Sequence, residues 1–163
     1  MIPEHNCLQR PAAPRLLLVL LLLTPGLNAC AGRAMRPTVA GTAPALVTGD
    51  FTDDYRGSFS ISDTLWFQRP ANRFRVVEWH VRERFLIAQN AADDPTAPNR
   101  WTRIDWLSLD DAGPYTWGFC LTAYRALSRE AARDTPPPKR DTPKSGCNGF
   151  PFTRMKRVVN SIP

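Results

Sequence analysis

Histidine is nearly absent from this chain: two in 163 residues, His5 near the start and His80. No Cys-x-x-Cys and no histidine cluster occurs, so the spacing that holds zinc is missing. There is no phosphate loop, no dinucleotide fingerprint and no Gly-x-Ser-x-Gly elbow. No metal, no cofactor and no catalytic residue is expected on these grounds. A triad of His80, Asp105 and a serine can be drawn on paper, but no motif supports it. Long apolar runs are also lacking. The longest, Leu16–Leu23, has eight residues, where a membrane-spanning helix needs about 20. Cysteine is scarce: Cys7, Cys30, Cys120 and Cys147.

What is present at the start is an export pattern. Arg10 and Arg15 precede the eight-residue apolar run, and Thr24-Pro25-Gly26 breaks it. A charged start, a short apolar core and small residues near a cut site describe a signal peptide, here residues 1–29. The cut region, Leu27-Asn28-Ala29-Cys30, resembles the lipobox of bacterial lipoproteins. The resemblance covers the leader alone, and Asn28 departs from the usual small residue. It implies that Cys30 becomes the first residue and takes a diacylglycerol on its sulfur, which anchors the protein to a membrane. Ala31, rather than Asp, implies the outer membrane. A plain secretory signal cut after Ala31 is the alternative. Residues 30–48 are rich in Ala, Gly, Pro and Thr and read as a flexible tether.

The formal charge is +6. Removing Arg10, Arg15 and Glu4 with the leader leaves 19 basic and 14 acidic residues, or +5. Such an excess suits an anionic membrane surface, an acidic partner or simply a solvated exterior. Basic and aromatic residues interleave over Arg73–Arg84, but an exported, tethered domain is not expected to meet nucleic acid.

From Gly49 to Arg157 the pattern is that of a single β-rich domain, with 158–163 as a tail. Phe59 and Ile61 alternate with serines, Asp63-Thr64 forms a two-residue turn, and Leu65–Arg69 returns. Arg73–His80 and Arg84–Asn90 make a second hairpin. A turn centred on Val81-Arg82 sets Glu78 opposite Phe85, Val76 opposite Ile87 and Phe74 opposite Gln89. One face is then Phe74, Val76, Phe85 and Ile87, and the other Val77, Trp79 and Leu86. Both are partly apolar, so the outside is expected to be covered as well. The central hairpin runs from Arg100 to Thr122 around Asp110-Asp111-Ala112-Gly113. Trp101, Arg103, Asp105 and Leu107 share one face of its first strand. Tyr115, Trp117, Phe119 and Leu121 share a large apolar face of its second. Thr116, Gly118, Cys120 and Thr122 make a small face that another segment can approach closely. Tyr124, Leu127 and Ala131 recur at helical spacing, which predicts a short helix within Ala123–Asp134. Phe150 and Phe152 are expected to pack on the barrel or sheet.

The fold class is therefore mainly β: a small antiparallel meander or barrel of six to eight strands with one short C-terminal helix. The architecture is analogous to lipocalin-like barrels, although Asp50-Phe51-Thr52 stands where lipocalins carry Gly-x-Trp. The set Asp53-Asp54-Tyr55, Trp101–Trp106, Pro114–Cys120 and Gly146–Phe152 resembles a group of uncharacterised exported bacterial proteins, a likeness that implies no activity. In an oxidising compartment Cys120 and Cys147 form an even pair, read as a disulfide or as two separate buried thiols. Adjacent carboxylates at Asp53-Asp54 and Asp110-Asp111 read as turn residues. Arg103 and Asp105 read as a buried structural pair or as a pair that orients a polar ligand.

Two functions remain open. One is a lipid-anchored binding module for a small apolar or amphipathic molecule, lined by Trp101, Arg103, Asp105, Tyr115, Trp117, Phe119, Glu78 and His80. The other is an envelope interaction or structural lipoprotein with a solid core and a protein partner.

Overall fold

The chain divides into two units, Met1–Met35 and Arg36–Pro163. The computed structural model describes residues 39–110 and 112–159. The signal peptide, Cys30, the first part of the tether, Asp111 and the last four residues lie outside the described residues.

Eight strands follow one another: β1 (Gly49–Asp53), β2 (Ser58–Ile61), β3 (Leu65–Gln68), β4 (Asn72–His80), β5 (Phe85–Asn90), β6 (Trp101–Ser108), β7 (Trp117–Ala126) and β8 (Thr153–Arg157). Each pairs antiparallel with the next, and β8 returns to β1 through Phe51–Arg157, Thr52–Lys156 and Asp53–Met155. The sheet is thus a closed up-and-down barrel, which leaves neither edge open. Among the described residues there is one helix, α1 (Arg129–Arg133), between β7 and β8. Ser128 caps it by accepting a hydrogen bond from the Ala131 amide.

Alternation along the strands fills the barrel with aromatic rings. Phe51, Phe59, Trp66, Phe74, Trp117 and Phe119 are buried there with Val76, Leu86, Ile104 and Met155. The rings meet edge to face: Phe51 and Trp117 at 5.1 Å, Trp66 and Phe119 at 5.1 Å, and Trp66 and Trp117 at 6.0 Å. Such pairs add about 0.5–1.5 kcal/mol each beyond burial. The indole nitrogens of Trp66 and Trp117 have no hydrogen-bond acceptor.

Three expectations need correction. The first concerns the β4–β5 hairpin. Its turn spans four residues, so His80 faces Phe85, Trp79 faces Leu86 and Glu78 faces Ile87. A β-bulge between Val76 and Glu78 then shifts the register, so that Val76 faces Ala88 and Phe74 faces Asn90. One extra residue reverses the inside–outside alternation. Phe74, Val76, Trp79 and Leu86 therefore point inward together, while Phe85 and Ile87 cluster with Ala132 of α1. The outside of this hairpin is indeed covered.

The second concerns only the extent of the expected helix, which does form within Ala123–Asp134. β7 continues to Ala126, and α1 is confined to Arg129–Arg133. Pairing with β6 jumps from Ile104–Leu121 to Arg103–Ala123 and then to Trp101–Ala126. These bulges place Leu121 and Tyr124, three residues apart, against the same core. Of the residues at helical spacing, Tyr124 thus belongs to β7 and Leu127 is exposed, and the helix buries Ala132 rather than Ala131.

The third concerns the tether. Val39, the first described residue and ten before Gly49, is already packed. Ala40 donates to Val77 O at 3.0 Å and accepts from the Trp79 amide at 2.8 Å. Val47 is buried, and Val39, Ala43 and Leu46 pack on the interior cluster. A composition of small residues and proline has no periodicity, yet it suits a segment that must lie close against the barrel.

Between β7 and β8 the chain makes its one long excursion across the outer surface. The Cys120–Cys147 disulfide ties it down, with Cα atoms 5.5 Å apart. Gly118 makes room for its return. A Cβ there would stand 3.2 Å from Thr153 O and 3.3 Å from Phe152 Cβ. Phe152 packs on Leu107 and Cys120 as expected, whereas Phe150 is exposed. At Gly146 a Cβ would collide with the Lys139 carbonyl.

Closing a loop of this length is worth about 3.5 kcal/mol by the loop-entropy relation. Cys147→Ser is expected to lower unfolding free energy by about 2–5 kcal/mol in urea melts. Trp117→Ala, in the middle of the packed rings, is expected to cost about 3–5 kcal/mol in the same assay.

Candidate functional site

Polar residues on the outer faces of β4 and β6 are gathered under the excursion. Asp105 is fully buried and accepts four hydrogen bonds from three residues. Arg103 reaches its two oxygens at 2.8 and 3.1 Å, Arg140 at 2.6 Å and the Thr122 hydroxyl at 2.5 Å. Arg103 spends its other end on the carbonyls of Arg133 (2.7 Å) and Thr135 (2.8 Å), which closes the C-terminal end of α1. Arg140 also donates to the carbonyls of Trp106 and Glu83 at 3.1 and 2.9 Å. Every part of this buried pair is thus hydrogen-bonded, the condition under which burial of charge is tolerable. It is the structural pair of the two readings.

Glu78 is the second centre. Val77 is the bulged residue beside it, and Glu78 faces outward toward the helix. It accepts from Arg129, from Arg133 at 2.5 Å and from His80 Nε2 at 2.6 Å. Burial pushes its carboxyl up, but the donors from Arg133, His80 and Arg129 outweigh this and bring it down from 4.5 to about 2. Phe85 joins the two centres. His80 stacks on one ring at 4.2 Å between centroids, and the Arg103 guanidinium lies 3.9 Å from the same Phe85 centroid.

The eight residues expected to line a ligand site do not share a surface. Glu78, His80, Arg103 and Asp105 form the latch just described, and Trp101 packs with Phe85, Ile87 and Ala132 beneath α1. Trp117 and Phe119 lie inside the barrel. Tyr115 stands at the rim, with the Arg154 guanidinium 4.8 Å from its ring. The acidic doublet at Asp53-Asp54 divides its work. Asp53 accepts from the amides of Tyr55 and Gly57 and shapes the β1–β2 turn. Asp54 instead holds Arg154 at 2.8 Å.

That turn borders a surface that sequence reasoning missed. A cleft of about 870 Å³ runs between it and the excursion, lined by Tyr55, Leu109, Lys144, Pro151, Phe152 and Arg154 among others. A second cleft of about 560 Å³, lined by Gln68, Asn148 and Phe150, shares Tyr55 and Pro151 with the first. Tyr55 is 71% exposed and Phe150 70%. The signal available was Gly149-Phe150-Pro151-Phe152. Strict alternation would put both phenylalanines on one face; the Cys147–Phe150 turn separates them, leaving Phe150 exposed and Phe152 buried.

The latch sets a pH dependence. The folded pKa of Glu78 lies below its unfolded value, so its contribution is complete above pH 4.5 and is lost as pH falls toward 2. Urea unfolding at pH 2.5 should show about 2 kcal/mol less stability than at pH 6 from this group, allowing for its partly exposed arginines. Glu78→Gln should remove that portion of the slope. Asp105→Ala, which strands the buried Arg103 guanidinium and the half-buried Arg140, should cost about 3–5 kcal/mol at neutral pH. Comparison with protein-family models, with curated proteins and with solved structures gave no match.

Proposed function

We propose that this chain is a lipid-anchored envelope protein whose barrel is a non-catalytic docking module for another envelope protein. The observation that carries this reading is the filled interior. Eight aromatic side chains are buried in the interior cluster, and the two clefts described above lie beside the β1–β2 turn and the excursion. A carrier of small apolar molecules needs room inside the barrel. The groups that invite a chemical role are engaged elsewhere: His80 with Glu78 and Phe85, Asp105 with Arg103 and Arg140.

The docking face is the paired cleft around Tyr55 and Phe150. Two well-exposed aromatic rings beside Pro151, with the Asp54–Arg154 pair at the rim, have the make-up of an interface centre. Anchorage rests on Cys30 and its lipobox-like context, with the outer membrane as the expected location.

One observation favours the carrier: the acceptorless indole nitrogens of Trp66 and Trp117, which a polar ligand atom could satisfy. Both readings are tested on the same protein. Wild type is expected to show no saturable binding of a fluorescent fatty-acid analogue. Saturable binding weakened by Trp117→Phe would restore the carrier. A photoreactive residue at position 55 should crosslink one discrete envelope protein in cells, and Phe150→Ala should abolish the product without lowering stability. The same residue at Glu83 is the negative control. Mass spectrometry of the mature N-terminus should find an acyl-modified Cys30, and Cys30→Ala should release the protein from the membrane fraction.

A further inference from the structure

The β3–β4 hairpin carries a cationic face that neither the latch nor the cleft uses. Phe67 and Arg73 are paired across the two strands, and Leu65 and Arg75 form the next outward pair. The guanidiniums of Arg69 and Arg73 both lie on the Phe67 ring, 4.9 and 4.8 Å from its centroid. A single ring thus gathers two like charges, each within about 5 Å of its centroid, an arrangement that a bound anion would favour. Their protein partners are modest. Arg69 donates to the Ser60 hydroxyl at 2.6 Å, and Ser60 in turn donates to Asp50. Arg73 has Asp93 at 3.4 Å, an exposed pair. Arg75 donates to Gln89 at 2.7 Å. A guanidinium has five donors, so most of those on this face point to solvent.

The entry of the chain lies beside this face. Leu65–Arg75 is the last pair of β3 with β4, and Val76 N then bonds Thr64 O. The next stretch of that β4 edge is taken by Ala40, through Val77 O and the Trp79 amide. Ala40 is thus bridged to Glu78, three residues along β4 from Arg75. Only residues 31–38 separate Cys30 from Val39. Whatever their conformation, they reach at most about 30 Å.

We infer that this hairpin face, formed by Arg69, Arg73 and Arg75 around Phe67, docks the barrel on anionic lipid headgroups of the membrane that holds its N-terminus. The inference rests on the proposed anchorage at Cys30. A short connection that ends next to three arginines brings them to the headgroup layer, where lipid phosphates accept their free donors. Leu65 and Phe67 supply the apolar patch between the charges.

The test uses the full chain carrying Cys30→Ala, so that no acyl group contributes. It is floated with vesicles of phosphatidylcholine alone or with about one third phosphatidylglycerol, and compared with the same chain bearing R69Q, R73Q and R75Q. Each arginine near an anionic surface contributes about a fivefold factor in binding. The triple variant should therefore bind the anionic vesicles about a hundredfold more weakly, with near-ultraviolet circular dichroism reporting that it is folded. Arg75→Gln alone should lose about fivefold and provides the comparison if the triple variant misfolds. In phosphatidylcholine, or at about 1 M salt where screening acts within about 3 Å, the two chains should behave alike. Equal binding of the two chains to anionic vesicles, or no flotation of either, overturns the inference. Absence of an acyl mass on Cys30 in the envelope is a separate result. It would remove the anchor while leaving the vesicle comparison to stand or fall by itself.

Discussion

Closure between β1 and β8 is the constraint on which the rest depends. A meander of eight strands left open would expose two rows of unpaired amides and carbonyls and half of its aromatic face. Pairing Phe51 with Arg157 and Asp53 with Met155 removes both problems at once. It also imposes a cost on the connection. β7 ends with Ala126 and β8 begins at Thr153, so the chain between them must lie on the outside of the barrel it completes.

That excursion explains why so many charged residues are buried outside the core. Asp105 and Glu78 stand on the barrel wall and grip Arg140, Arg129 and Arg133 from the excursion, while Cys120 grips Cys147. Arg103 joins the wall to the end of α1. A five-residue helix is far too short to be stable alone, so α1 exists because these contacts hold its flanks. The polar groups that suggested a ligand site on paper are the fastening of this strap. The same strap, turning back at Gly146 and Pro151, builds the cleft walls around Tyr55 and Phe150. The stability of the closed barrel and the shape of the proposed docking face therefore share one set of contacts.

Strand alternation made much of the wall readable. Phe59 and Ile61, Trp66, Ile104 and Trp106, and Trp117 and Phe119 all point where a period of two sends them. The Asp63-Thr64 turn and the small face at Gly118 and Cys120 were equally local and equally legible. Bulges defeated the same reasoning at Val77 and near Tyr124. An extra residue in one strand leaves no mark in composition, yet it reverses every later side chain. Glu78 thus points outward to the helix while Trp79 points inward. Val39–Thr48 escaped notice because its contacts are to strands far along the chain.

The sequence by itself determined the class of the domain, the two cysteines available to pair within it and the apolar face of most strands. These follow from short-range periodicity and from the count of cysteines beyond the leader. Only the tertiary structure decided that the barrel closes around an aromatic interior. It alone decided that Arg103, Asp105, Glu78 and His80 form a latch, and that Tyr55 and Phe150 meet at one surface. Those outcomes depend on which residues become neighbours across a hundred positions of chain, as Asp54 and Arg154 do. Strand closure and register set such neighbours, and neither is written in any local stretch.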